Sequence, residues 1–445
     1  MRSFRYWLRI ITTFSIRFKG ILFIGLLFGV LIFIFFSIFY PRWFNNKVEY
    51  IGLSGRYQTD NLHKDIQKLI GEGLTTMNED GTVSPGLADS WEEQDDGKTW
   101  VFHLNTSKKW QDQTVVTSDT IQYSFDDVEI ERPDGETIVF RLENEYAPFP
   151  AIVSKPTYKK GLLGTGEWRV RKIKQTGSYI SQVVLQDAEG NEKIFRIYPS
   201  EDQAKIAFKL GEIDTLIDML EPSPLSNWQT LKVDAEVNNG RYSGIFFNNE
   251  DTTVGGTDAK ALRQALAYAI DKEQLGTPRA ISPISPDSWA YNSIVKDYAY
   301  DPERAKELID DTYPDDVKEK IELKLATIPA LLGIAEKIAE YWEAVGIKTI
   351  VQVTPTLPNE YQAFLAIYDI PEDPDQYSTW HSSQIGITNI SRYSNPRIDT
   401  LLEDGRQELN REERKRIYLD FQRFLLEDAP AIFLYHPQSY TISRK

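Results

Sequence analysis

The chain has 445 residues, no cysteine and a formal charge of -16, with 41% hydrophobic and 12% aromatic content. That length gives two or three domains with sizeable cores, and the aromatic content is too high for a disordered chain. The missing cysteines exclude disulfides, thiol chemistry and a lipid-modified N-terminal cysteine. The acid excess opposes binding to nucleic acid and to anionic head groups, and no basic stripe or nucleic-acid motif is read from the sequence to offset it.

Residues 21–40, ILFIGLLFGVLIFIFFSIFY, carry no charge. At about 1.5 Å per residue they span about 30 Å, the hydrocarbon thickness of a bilayer. The preceding segment holds Arg2, Arg5, Arg9, Arg17 and Lys19 and no acid. The positive-inside rule therefore predicts 1–20 as a cytoplasmic basic segment, 21–40 as one transmembrane helix, and the rest outside the cell. The apolar run is too long for a signal-peptide core, and PRWFNNK follows where a small-residue cleavage site would stand. A retained anchor is the reading. One span cannot form a transport path, so the chain can at most serve one.

Beyond the anchor, YIGLSGRYQTD reads as a short strand with a polar exit. Leu62, Ile66, Leu69 and Ile70 form a helical stripe closed near Gly71 and Gly73. Asp80-Gly81 marks a turn, and Asp95-Asp96-Gly97-Lys98 another. Trp100, Phe102 and Leu104 alternate as a half-buried strand does. Thr117 is a predicted N-cap for a helix carrying Ile121, Phe125 and Val128 on one face. Ile138, Phe140 and Leu142 lie on one side of a further strand.

A helix is predicted over 201–210, ending at Gly211, then a strand around 215–217 and a buried strand in RYSGIFFNN, 241–249. Thr257 is predicted to cap a helix with Leu262, Leu266, Ala269 and Ile270 on its face. Residues 321–353 form a β-α-β unit: IELKLAT, then a helix turning Ile334, Ile338, Trp342 and Val345 inward and capped by Gly346, then IKTIVQV. Helices are predicted at 397–409 and 411–427, with Asn410 and Glu413 as a capping box. AIFLY, 431–435, reads as a last strand.

Catalytic and metal signatures are scarce. His63, His103, His381 and His436 have no metal-ligand spacing. No GxSxG occurs, GLSG lacks the elbow context, and GTG at 164–166 is no dinucleotide loop. Acid pairs abound in a chain with 66 carboxylates, so none is singled out as a glycosidase dyad.

The segment YDIPEDPDQYSTWHSS concentrates Asp369, Asp373 and Asp375 in a proline-punctuated loop beside Tyr377, Trp380 and His381. A carboxylate in a partly desolvated cleft pairs with a ligand ammonium, and aromatics cover apolar side chains. A solvated acidic loop, with Asp and Pro serving the turn, explains the same residues. Both readings stay open.

The order of segments carries more than any one of them. LIGEGLTTMNEDGTVSPGLADSWEEQDDGKTWVFHL with WQDQTVVTSDTIQYSF, then GTGEWRV, GEIDTL, GIFFNNEDTT…ALRQALAYAIDKEQL, AYDPERAKELIDD, EDPDQY and SRYSNPRIDTLLEDGRQELNREERKRIYLDFQRFLLEDAPAIFLYHP resemble extracytoplasmic solute-binding proteins of family 5. These are the oligopeptide and dipeptide receptors of ABC importers, and the resemblance runs from about 48 to 440.

It implies an α/β, bilobed, type II-like periplasmic-binding-protein clamshell with a small additional subdomain, here preceded by a transmembrane helix. The expected division is a first lobe at 48–245 with a reduced inserted subdomain, a second lobe at 246–425, and a C-terminal strand in 426–445 returning toward the first lobe. The resemblance implies a peptide or other small solute as ligand, ABC permease subunits as partners, and no catalysis, cofactor or metal. A ligand amino group would meet Asp369, with Asp373 as the fallback, close to Tyr377 and Trp380. The Phe246–Asn248 strand would offer backbone bonds to an extended ligand.

Three departures stand out: a short segment between IERPDGETIVF and GTGEW, a glutamate where the family keeps proline in GTGPY, and a helical anchor in place of a lipidated cysteine. A sensor module on the same clamshell, or a non-peptide solute such as a nickel complex, sugar or opine, remains the alternative.

Overall fold

A computed structural model describes Trp7, Thr13 and residues 17–44, 46–314 and 321–445, with the side chains of 22, 23, 26 and 36–44 left out. Most of the basic segment 1–20 lies outside the described residues. Lys19–Phe44 is a single helix of 26 residues. Its described apolar side chains, among them Ile24, Phe28 and Phe33, are exposed rather than packed on the body of the protein. Among the described residues no helix is long and apolar enough to cross a membrane.

Two large sheets follow. The first has seven strands, in the order Leu231–Val237, Gln438–Arg444, Thr215–Met219, Val48–Ser54, Glu192–Tyr198, Tyr179–Gln186 and Arg169–Thr176. Helix Lys64–Ile70 covers one face through Ile66 and Ile70, and helix Glu201–Lys209 covers the other through Ala204 and Phe208. Ser200 caps the latter by accepting from the Gln203 amide, and Gly211 ends it at φ +78°.

The second sheet has five strands: Lys348–Val353, Glu322–Thr327, Ala363–Asp369, Arg241–Phe247 and Ala431–Tyr435. The predicted β-α-β unit is here, with its two strands paired in parallel and joined through helix Leu332–Ala344. Ile338 and Trp342 are fully buried, and Trp342 Nε1 donates to the Leu266 carbonyl at 3.0 Å. Burying each such side chain contributes about 1.5–3 kcal/mol. Arg241–Phe247 lies inside the sheet with both faces covered: Ile245 and Phe247 enter the core under helices Lys260–Tyr268 and Leu332–Ala344, while Tyr242 and Phe246 enter the one under Pro396–Gln407 and Arg411–Asp428. A strand buried on both faces is rich in apolar residues, as its Ile245–Phe247 end is. The helix cap predicted at Thr257 falls instead on Ala259, without a side-chain bond.

A four-stranded antiparallel sheet of Ala88–Gln94, Thr99–Leu104, Thr137–Leu142 and Val128–Glu131 forms the small subdomain, with its own aromatic core of Trp100, Phe102, Phe140 and Phe149. The helix predicted after Thr117 is replaced. Thr117 and Thr120 do form a capping box, but it closes one 3-10 turn, Ser118–Thr120. The chain then runs extended, and Val128 opens a strand. Ile121, Tyr123 and Phe125 also satisfy a two-residue period, and the Tyr123 and Phe125 rings stack at 5.8 Å toward Phe140. That contact with the subdomain core outweighs the helical spacing.

The chain passes between the two large sheets at Asn238–Gly240 and back at His436–Pro437, side by side: the Asn238 amide donates to the Pro437 carbonyl at 2.9 Å. The first passage precedes the expected 245/246 boundary because Arg241–Phe247 pairs entirely within the second sheet. Ala431–Tyr435 also stays there, and the strand that returns is Gln438–Arg444.

Candidate functional site

Near the paired crossings, three chain segments bring polar groups to one carboxylate. Asp218 sits at an irregularity in Thr215–Met219 with φ +52°, a left-handed conformation that aspartate tolerates better than most residues. Arg241, the first residue of its strand, donates Nη1 to Asp218 Oδ1 and Oδ2 at 3.0 and 3.1 Å. Ser439 Oγ donates to Asp218 Oδ1 at 3.0 Å from the returning strand. His63 Nδ1 accepts the Asp65 amide at 3.3 Å, which assigns the ring proton to Nε2, 3.4 Å from Asp218 Oδ2.

Burial alone would raise the Asp218 pKa; the His63 hydrogen bond and the Arg241 charge outweigh it and hold the carboxyl below the usual range. Tyr57 packs edge-on to His63 at 5.6 Å, and burial, then Asp218, pushes its hydroxyl up to about 12.

Asp369, the expected ligand carboxylate, ends the neighbouring strand and faces this cluster. Arg241 Nε donates to its Oδ1 at 2.6 Å, and its side chain is 80% exposed. Its other oxygen has no hydrogen-bond partner among the described residues. Asp218 and Asp369 share one guanidinium, so with His63 neutral the cluster carries one negative charge in excess. Such a site has the charge to pair with a cation.

Asp373 is arranged otherwise. Arg414 grips both of its oxygens, Nη1 to Oδ2 at 2.9 Å and Nη2 to Oδ1 at 2.6 Å, with both side chains largely buried. Bidentate pairing of this kind fixes position as well as charge. Asp375 accepts from Arg406 Nε at 2.9 Å, from the Tyr146 hydroxyl at 3.3 Å and from the Tyr377 amide at 3.0 Å. These two acids anchor the proline-punctuated loop to the helices behind it and, through Tyr146, to the small subdomain.

Tyr377 stacks on His381 at 3.9 Å, with the Arg406 guanidinium 3.8 Å from its ring centroid. It lines a cavity of about 580 Å³ between the small subdomain and helix Pro396–Gln407, together with Phe125, Tyr146, Glu143, Glu403 and Arg406. Asp369 does not line that cavity, so the carboxylate and the cavity are separate features.

Trp380 is fully buried, stacked on Phe246 at 6.1 Å inside the core on one face of the second sheet. Phe246 pairs with Phe364 on one side and Ala431 on the other, so its backbone has no edge to offer a ligand. Asn248 donates its amide to Gln362 O and its side chain to Tyr361 O, both at 2.9 Å. Trp380, Phe246 and Asn248, expected beside the ligand, are thus engaged in packing and in bonds within the sheet and its neighbouring loops.

Asp218, Arg241 and Tyr57 carry no signal in the sequence, and His63 stands there only as a histidine without metal-ligand spacing. They come from three segments, with Tyr57 and His63 on one connection, Asp218 on Thr215–Met219 and Arg241 at the start of its strand, and only the fold brings them together. Arg406 and Arg414 had a signal of sorts: two arginines in the pair of long helices that follow the acidic loop in sequence.

The GTG segment has a packing role. Gly166 donates its amide to Ile70 O at 2.7 Å, and a Cβ at Gly164 or Gly166 would fall 2.2 or 2.3 Å from backbone oxygens of that helix end. Gln111 Nε2 ties the same place together by donating to Gly166 O and Trp168 O, both at 2.9 Å. Among the described residues no group of three His, Asp or Glu side chains is placed to hold a metal ion.

Comparison with known proteins agrees with this architecture. The chain is 25% identical over 459 residues to di/tripeptide-binding protein 1 of Pseudomonas aeruginosa, covering 84% of each, and 25% identical over 440 residues to heme-binding protein A of Haemophilus influenzae, covering 80% of this chain and 79% of the relative. Its fold superposes on NikZ of Campylobacter jejuni in complex with Ni(L-His), with a TM-score of 0.74, 22% identity and coverage of 90% and 94%. It also superposes on the oligopeptide-binding protein AppA of Bacillus subtilis in complex with a nonapeptide, with a TM-score of 0.70, 20% identity and coverage of 90% and 95%. The family described as bacterial extracellular solute-binding proteins, family 5 middle, matches residues 82–388. With well over half of its length matched, the chain belongs to the family 5 extracellular solute-binding proteins.

Proposed function

We propose that this protein is a membrane-tethered extracytoplasmic receptor that captures peptides and hands them to an ABC permease, with no catalytic step of its own. The observation that carries this reading is the seam at the paired crossings, where an exposed carboxylate, Asp369, stands beside Arg241 and Asp218 with charge to spare. Asp369 receives the ligand ammonium; Asp373 is the weaker candidate because Arg414 occupies both its oxygens. Tyr377 borders the approach from the small subdomain.

Two short crossings between two sheets suit a hinge: a ligand touching both lobes favours the closed arrangement by its differential contacts. The uncharged run 21–40 and the helical course of Lys19–Phe44 support the tether.

Native mass spectrometry of the full chain, extracted gently from cells grown in peptide-containing medium, tests this. Co-purifying masses that fragment as peptides are expected. A haem-sized or metal-chelate mass would move the solute class toward that in the names of other relatives, and a bare mass through repeated gentle extractions would contradict the reading.

A further inference from the structure

The sequence pattern RVRKIKQT reads as an ordinary strand, but the sheet puts it at an edge. Arg169–Thr176 is the last strand of the seven, and Arg169, Arg171, Lys172 and Lys174 are all exposed along it. Val170 and Ile173 turn inward onto the core with Trp168. A register shift between Val170 and Lys172 places Arg171 as an extra residue, which is how three bases fall within four positions without losing the inward pair. None of the four bases makes an ion pair among the described residues, and the neighbouring strand, Tyr179–Gln186, carries no acid. Arg56 lies over the Tyr179 ring at 5.6 Å and extends the same edge.

Charged edges also serve to prevent sheets from pairing with one another. That purpose does not require one sign. The opposite edge of this sheet, Leu231–Val237, mixes Lys232 with Asp234 and Glu236, and the edge of the second sheet, Lys348–Val353, has one lysine held by Glu322. In a chain of net charge -16, four unpaired bases on one edge strand are the exception.

Their position relative to the anchor gives them a partner. Val48 pairs with Glu192, Glu192 with Gln186, and Gln186 with Arg169, so Arg169 stands level with the start of the strand that leaves the anchor. Three strand spacings separate them, about 14 Å. Four residues from Phe44 to Val48 reach at most about 14 Å, so this end of the sheet cannot leave the vicinity of the anchor helix. Lys174 is level with Gly52 by the same ladder, which lets the stripe meet a plane when the lobe lies on its edge.

Resting on the tether reading, we propose that this basic edge strand docks on the anionic lipid head groups of the bilayer that holds the anchor, so that the first lobe leans on the membrane in one orientation. Basic segments close to a membrane-spanning helix gain attraction from acidic lipids with each added base, and salt screens that attraction.

The test uses the full chain in nanodiscs. Because the protein has no cysteine, Ser178→Cys in the adjoining turn labels one position with a donor fluorophore, and a head-group-labelled lipid is the acceptor. Energy transfer is expected to be roughly twofold or more higher in phosphatidylglycerol-containing discs than in pure phosphatidylcholine discs, and to fall when salt shortens the screening length from about 10 Å to about 3 Å. The variant Arg169→Gln/Arg171→Gln/Lys172→Gln/Lys174→Gln is expected to remove the lipid dependence. Equal transfer in both lipids at low salt would overturn the proposal, and the salt series on the unsubstituted edge gives that answer even if the variant fails to fold. Failure to co-elute with discs would instead overturn the tether.

Discussion

Arg414 holds both carboxylate oxygens of Asp373, at 2.9 and 2.6 Å, from the helix that begins at Arg411. The same guanidinium donates Nε to Gly405 O at 2.8 Å, so one side chain ties the acidic loop to the end of the preceding helix. Asp373→Ala leaves that guanidinium buried without its counter-charge. The expected cost is about 3 kcal/mol in denaturant unfolding, and Asp373→Ala/Arg414→Met should recover part of it. Full stability in the single variant would mean that the pair does not anchor the loop.

The Asp218 cluster predicts an acid limb in the stability curve. Its carboxyl titrates below the ordinary range in the folded state, so the stability it contributes is complete above the unfolded value of about 3.9 and is lost as pH falls through the folded value. Thermal midpoints should drop as pH goes below about 4, and Asp218→Asn should flatten that part of the curve. An unchanged acid limb in the variant would show that other carboxylates carry it.

Gly166 has no room for a side chain. Its added Cβ would meet Leu69 O at 2.3 Å, a backbone atom that moves only with the whole helix end. Gly166→Ala is therefore expected to destabilise by about 1–3 kcal/mol, the range for overpacking, while Gly333→Ala, which has nothing nearby, should be neutral or better. Equal melting temperatures for the two variants would contradict the packing role.

Trp380 separates a structural aromatic from a ligand-facing one. Fully buried against Phe246 and Phe433, it should cost about 3–5 kcal/mol on truncation to alanine. Binding measured on the folded fraction should then be unchanged within twofold. A variant that stays stable but loses ligand would reverse the assignment.

The β-α-β unit was legible because its helix has one period, an inward face with Ile338 and Trp342, and a glycine cap at φ +90°. The stretch after Thr117 misled because Ile121 and Phe125 fit a helical face while Ile121, Tyr123 and Phe125 fit an extended one, and only packing on Phe140 decides between them. The acidic loop was found, since three aspartates among prolines are visible in one line, but their division of labour was not. Whether a carboxylate is gripped, as Asp373 is, or open, as Asp369 is, depends on arginines supplied from Arg414 and Arg241, far away in sequence. The basic edge was missed for a similar reason: a strand's place in a sheet is set by its partners.

The most direct test of the central claim is calorimetric titration of peptides into the full chain and into Asp369→Asn, with Asp373→Asn compared on its folded fraction. Asp369→Asn is expected to lose peptide affinity by roughly 10–100-fold, as for removing a charge-assisted hydrogen bond worth about 1.5–3 kcal/mol, at unchanged stability. Asp373→Asn should lose stability and keep affinity. Full affinity in Asp369→Asn would contradict the account and move the ligand's amino group elsewhere.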